Sequence, residues 1–164
     1  MNRKGFTFIE LLAVIVVLGL VLVIGSPSII NAFKKSKLKS EQIFVDRLSD
    51  AIDGYISLNS DNISFTKESE NKTKSGKDGT YNVSIYKAQI TFNDIINDEL
   101  IESKDFINAG YKEATCDRNA IIEVYRDSEY VYCHKVNKVA LGCLTTEYKN
   151  SISGNYVIDT CVWR

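Results

Sequence analysis

Residues 1–25 read MNRKGFTFIELLAVIVVLGLVLVIG. Phe6 to Gly25 makes twenty residues that are apolar apart from Thr7 and Glu10, and Leu11 to Ile24 carries no polar side chain. At about 1.5 Å per residue, such a helix covers roughly the hydrocarbon thickness of a bilayer. A membrane-embedded helix over 6–27 is therefore expected, and Glu10 is its anomaly. An ionised carboxylate at the centre of a membrane helix costs roughly 2.5–3.5 kcal/mol on insertion scales, and less near an end, where it reaches the interface.

Two readings of Glu10 follow from its surroundings. It can reach toward the interface, aided by the positive end of the helix dipole. Alternatively, it has a partner. Arg3 and Lys4 are basic, Gly5 is small, and the apolar run starts at once with Phe6. Cleavage after Gly5 would leave a positive α-amine on Phe6, four residues from Glu10. A buried carboxylate is tolerable when it is paired and hydrogen-bonded.

The stretch KGFTFIELLAVIVVLGLVLVIGSP resembles the N-terminal class III signal of type IV prepilins and pseudopilins. In that signal a short basic leader ends in glycine, phenylalanine follows, and glutamate stands fifth in the mature chain. Lys4, Gly5, Phe6 and Glu10 fill those positions, Thr7 also matches, and Phe8 replaces a more usual leucine. The likeness is close over about residues 3–30. It implies cleavage by a prepilin peptidase between Gly5 and Phe6, N-methylation of Phe6, and bundling of the helices into a filament in which Glu10 meets the Phe6 amine of a neighbour. The implied partners are copies of the chain, minor pilins, the peptidase, and an assembly platform with its ATPase. The implied location is the cytoplasmic membrane, with the N-terminus inside, and then a surface pilus.

Two observations pull the other way. VIGSP has the small residues of an ordinary signal-peptidase site, although that reading leaves Glu10 unexplained. Lys34, Lys35, Lys37 and Lys39 follow the apolar run while only Arg3 and Lys4 precede it, so charge counting alone puts the C-terminal domain in the cytoplasm. The motif is the more specific signal.

Beyond the apolar run, Gly19, Gly25 and Pro27 interrupt its second half, and Pro27, lacking a donor, is expected to kink the helix. Apolar residues then recur at helical spacing from Ile30 through Phe33, Leu38, Phe44, Leu48, Ile52 and Ile56, which predicts an amphipathic continuation over 28–58. Its exposed face carries Lys34, Lys35, Lys37 and Lys39, followed by Glu41, Asp46, Asp50 and Asp53. These form local pairs such as Lys37 with Glu41, each worth a few tenths of a kcal/mol, or they meet the opposite charges of a staggered copy.

A head over 59–164 should be α+β, with three or four antiparallel strands laid on the amphipathic helix. Asn59–Thr80 is polar and reads as a long loop. Tyr81–Tyr86 reads as a first strand, and Thr91 as the cap of a helix from Phe92 to about Glu102. Ala120–Tyr125 and Glu129–His134 form a hairpin around RDSE. Val136–Leu144 is a third strand or irregular, and Ser153–Arg164 a final strand.

Four cysteines, Cys116, Cys133, Cys143 and Cys161, lie in the last third of the chain, separated by 16, 9 and 17 residues. Those gaps suit disulfides better than the close ligand pairs of zinc, even with His134 beside Cys133. Three connectivities are open, and Cys116–Cys133 with Cys143–Cys161 is the working choice. A net charge of −1 gives no cue for nucleic acid. No phosphate loop, close metal pair or spaced Ser and His set stands out, and His134 reads as a strand or surface residue, so neither an enzyme nor a cofactor is expected. The rival functions are a membrane-anchored extracellular binding or sensor domain that does not polymerise, and a minor pseudopilin of a DNA-uptake or secretion machine.

Overall fold

The computed structural model describes residues 7–68, 71–77, 79–102 and 116–163, with backbone alone for 22–28. It separates into two compact units, Met1–Lys37 and Leu38–Arg164. In its described part the first unit is the opening of helix α1 (Phe8–Asn59). The helical backbone continues through Pro27.

The second unit packs the rest of α1 on a five-stranded antiparallel sheet. Its strands are β1 (Thr66–Lys67), β4 (Ile85–Thr91), β5 (Ile121–Asp127), β6 (Tyr132–Asn137) and β7 (Tyr156–Asp159), neighbouring in that order. Strands β2 (Lys72–Gly76) and β3 (Gly79–Val83) form a separate hairpin. Two short helices complete the unit, α2 (Phe92–Asn97) and α3 (Thr146–Ser151). The architecture is the expected one, a long N-terminal helix with a C-terminal antiparallel sheet.

One helix stripe decides this packing. Val45, Leu48, Ile52 and Ile56 recur every three or four residues and are all buried. They join Ile90, Phe92, Ile95, Ile122, Val124, Val136 and Ile158 in one core. Burying each such side chain contributes about 1.5–3 kcal/mol. The opposite face of the sheet holds a smaller cluster of Val83, Ile85, Tyr125 and Cys133, with Cys161 and Trp163 against it.

The disulfides sort by sheet face, which corrects the working connectivity. Cys116 pairs with Cys143 inside the helix-side core, and Cys133 pairs with Cys161 on the other face. Register explains the second bond. Lys135 lies opposite Asp159 on antiparallel β6 and β7, so two residues further Cys161 comes level with Cys133, and their Cα atoms are 5.1 Å apart. A bond from Cys116 to Cys133 would have to cross the sheet. Closing loops of this size contributes roughly 2–4 kcal/mol each.

The polar stretch after α1 is more ordered than a loop. It contains β1 and the β2–β3 hairpin, whose turn rests on two glycines. Gly79 has φ +123°, and a Cβ on Gly76 would come within 2.9 Å of the Tyr81 ring. The first main-sheet strand of the head is therefore β1, ahead of Tyr81. Lys74 carries the hairpin onto the sheet, donating to Asp127 at 2.8 Å and Glu129 at 3.1 Å. Asp127 is itself buried and accepts from the backbone N–H groups of Glu129 and Val131, closing the RDSE turn.

Helix α2 begins where expected, with the Asp94 carboxylate accepting from the Thr91 N–H at 2.7 Å and its hydroxyl at 2.8 Å. It ends at Asn97, short of Glu102, because Glu99 turns to φ 58° and the chain folds back through Glu99 N–H to Ile96 O and Leu100 N–H to Ile95 O. After β6 the segment to Leu144 is irregular, and α3 follows, capped by the Thr145 hydroxyl, which accepts from Tyr148 N–H.

Glu41 departs furthest from expectation. It is fully buried, one turn before Val45 on the stripe, and does not belong to the exposed acidic series. Its carboxylate accepts from Thr145 N–H at 2.8 Å and Thr145 Oγ1 at 2.6 Å, which joins α1 to the N-terminus of α3. Beside it, Tyr148 donates to Gln42 at 2.7 Å. Burial, with Asp46 and Glu41 nearby, pushes the Tyr148 phenol up to about 12, so it remains a donor. Glu41→Ala should destabilise the full chain by about 3 kcal/mol, read from urea unfolding in detergent, because it strands a buried donor pair at the α3 cap. Glu41→Gln, which keeps an acceptor, should lose clearly less.

Candidate functional site

The signal residues Gly5 and Phe6 lie outside the described residues, so their cleavage and methylation are not visible here. Immediately after them, Thr7 and Glu10 form a reciprocal cap. Thr7 N–H and Thr7 Oγ1 each donate to Glu10 Oε2 at 2.9 Å, and Glu10 N–H approaches Thr7 Oγ1 at 3.4 Å. This is the Thr-x-x-Glu box that satisfies free donors at a helix start. Glu10 thus has a partner within its own chain, in a pattern already readable in the sequence.

From there α1 exposes apolar side chains all round. Phe8, Ile9, Leu11, Val14, Ile15, Leu18 and Val21 are all more than half exposed. Exposure continues past the membrane-sized stretch at Ile29, Ile30 and Phe33, the last 72% exposed. A helix apolar on every side has to be covered by lipid or by other helices. Among the described residues no helix is long and apolar enough to cross a membrane. The apolar stretch runs into 22–28, whose side chains are outside the description.

A second constellation holds the head to α1. His134, on the helix-facing side of β6, is fully buried. Its Nε2 lies 2.9 Å from Ser49 Oγ, and its Nδ1 lies 3.1 Å from Asp53 Oδ1 and 3.4 Å from Thr160 Oγ1. Ser49 and Asp53 are four apart on α1 and present one edge to the ring. A neutral imidazole with its proton on Nδ1 donates to Asp53 and accepts from Ser49. The order of groups is that of a hydrolase relay, but the ring is enclosed by protein, and what it joins here is α1, β6 and the end of β7. Sequence reading missed this set. The period-two alternation of Tyr132, His134 and Val136 already turned His134 toward the core.

Of the predicted acidic face, Asp46, Asp50 and Asp53 are exposed, Asp46 accepting from Gln42 at 2.7 Å and Asp53 also meeting His134, while Glu41 is buried. Cys133, in its disulfide, has no thiolate to offer a metal. Among the described residues no group of three or more His, Cys, Asp or Glu side chains is placed to hold one.

Residues 1–26 match the family described as the prokaryotic N-terminal methylation motif, the class III signal of type IV pilins and pseudopilins. No curated protein and no solved structure matches the chain. The match supports a pilin- or pseudopilin-type precursor, a structural protein, and implies prepilin-peptidase processing and filament assembly in general.

The His134 junction makes the head sensitive to acid. Burial lowers the imidazole pKa, opposed by Asp53 on α1 and Asp159 on β7, and burial prevails. The unfolded chain therefore binds a proton more readily than the folded one. The stabilisation is complete above the ordinary histidine range of about 6.5 and is lost as pH falls through the lower folded value. Unfolding midpoints measured from pH 7.5 downward should drop below about pH 6.5 in the native chain. The slope should flatten in His134→Gln.

Proposed function

We propose that this chain is a structural subunit of a type IV pilus or pilus-like filament. Prepilin peptidase cuts between Gly5 and Phe6 and methylates Phe6, the helix holds the precursor in the cytoplasmic membrane, and the mature chain is packed into a surface fibre with copies of itself and minor pilins. An assembly platform and its ATPase supply the work. The observation that carries this reading is the signal match over residues 1–26. The exposed apolar surface of α1 after it supports the reading, because packed helices remove from water what one chain leaves uncovered. In this scheme Glu10 neutralises the new amine of a neighbouring Phe6, and 1–5, 6–27, 28–58 and 59–164 are leader, assembly helix, amphipathic continuation and head. Pro27 supplies a bend where the helix passes from one environment to the other.

One observation favours a second reading, a membrane-anchored domain that stays single. Thr7 already donates twice to Oε2 of the Glu10 carboxylate within the chain, so the glutamate has a local use without any neighbour.

The two readings separate on one variant and one mass. The mature protein should begin at N-methylated Phe6 by mass spectrometry of its N-terminal peptide. Glu10→Ala should insert and be processed, yet yield no sheared surface filaments. If Glu10→Ala still makes filaments, or the native protein works with residues 1–5 attached, the pairing role is wrong.

A further inference from the structure

Between α1 and the turn after α2 lies a cleft of about 740 Å³, whose apolar wall includes Ile43, Phe44, Ala51, Leu100 and Ile101. Its edge is acidic. Asp50, Glu99 and Glu102 line it, Asp46 stands exposed one turn of α1 earlier, and Arg47 is the one base among these four acids. Glu99 occupies a left-handed position, φ 58°, at the end of α2, where glycine or asparagine is usual. The turn it makes sets Leu100 and Ile101 against the cleft and puts a carboxylate on its border.

The chain also carries a segment of complementary character. Ile29, Ile30 and Phe33 are exposed apolar side chains beyond the membrane-sized run, and Lys34 and Lys35, both exposed, follow immediately. Apolar residues ending in two lysines match an apolar trough bordered by Asp46, Asp50 and Glu99 in both hydrophobicity and charge sign.

We propose that the cleft is the docking site for residues 29–35 of a second copy of this chain. Ile30 and Phe33 fill the trough, and Lys34, one turn after Ile30 on the same helix face, meets its carboxylates. The inference rests on the filament reading and deepens it by naming a lateral contact outside the apolar core of the bundle. The contact joins two different surfaces of identical chains, so it repeats from copy to copy, and it extends along a fibre when the rotation between copies does not close a ring. It also explains the charge order along α1, since bases before acids allow attraction only when the partner is displaced along the helix.

The test uses full-length chains expressed in the pilus-making host, with processing to Phe6 and the yield of sheared filaments read side by side. Co-expressed Lys34→Cys and Asp50→Cys chains should give a disulfide-linked dimer in filaments on non-reducing gels. Lys34→Cys with Lys149→Cys, outside the cleft, should not. The double reversal Lys34→Glu with Lys35→Glu should be processed normally but lose filaments. Adding Asp46→Lys and Asp50→Lys to the same chain should restore them. If wild-type filaments form but the dimer is absent, an adduct to another protein appears in its place, or the reversal is not rescued, the docking site is overturned while the filament reading stands. If wild-type chains give no filaments and no Phe6 terminus, the filament reading itself fails.

Discussion

Helix α1 has to satisfy two surroundings with one backbone. Over Phe8–Val21, and again at Ile29, Ile30 and Phe33, it exposes apolar side chains, and from Val45 onward only the stripe of Val45, Leu48, Ile52 and Ile56 is buried, against the sheet. Everything in the head follows from that stripe. The sheet presents Ile90, Ile122, Val124, Val136 and Ile158 to it, and the polar groups caught at its margins, Glu41 and His134, find partners on the far elements. Both margins use the same solution. A side chain that falls in the buried register but is not apolar is kept only where a cap, a hydroxyl or a second charge meets it.

Those two polar insertions join different parts of the head to one helix. Glu41 holds the α3 cap, and His134, through Ser49 and Asp53, holds β6 with Thr160 just beyond β7. Charge also organises the solvent side of the sheet. Lys87 meets Glu123 at 2.6 Å and Lys135 meets Asp159 at 3.1 Å, with the ring of Tyr125 near both lysines. Pairs of this kind, half-buried at the sheet surface, contribute little individually. Their value is in register, since a slip by one residue would put these charges into the core.

The sequence makes the N-terminal signal, the end of α1 to within a residue, the α2 start and the β5–β6 hairpin legible, because each is written in local spacing or turn chemistry. What it conceals is tertiary. Glu41 looks like one more exposed acid until it is counted from Val45 and Leu48, which place it on the buried stripe. The β2–β3 hairpin hides in a polar run because its alternation is carried by lysines and threonines, with only Gly76 and Gly79 to mark the turn. The disulfide map needs the pairing of β6 with β7 before it can be derived, and linear order alone suggests the wrong partners. The Ser49, Asp53 and His134 set escapes for the same reason, its members lying on a helix and a strand 85 residues apart.

The bond between Cys133 and Cys161 has a mechanical meaning. Among the described residues β7 is an edge strand, paired with β6 alone, and a strand pulled from its end in that position peels with its ladder yielding one rung at a time. A covalent rivet just past its end converts peeling into shear, in which all rungs must give way together. If the chain is packed into a fibre as proposed, the last strand of each copy would then resist unravelling from its tail, and it would do so only after the head has reached an oxidising compartment.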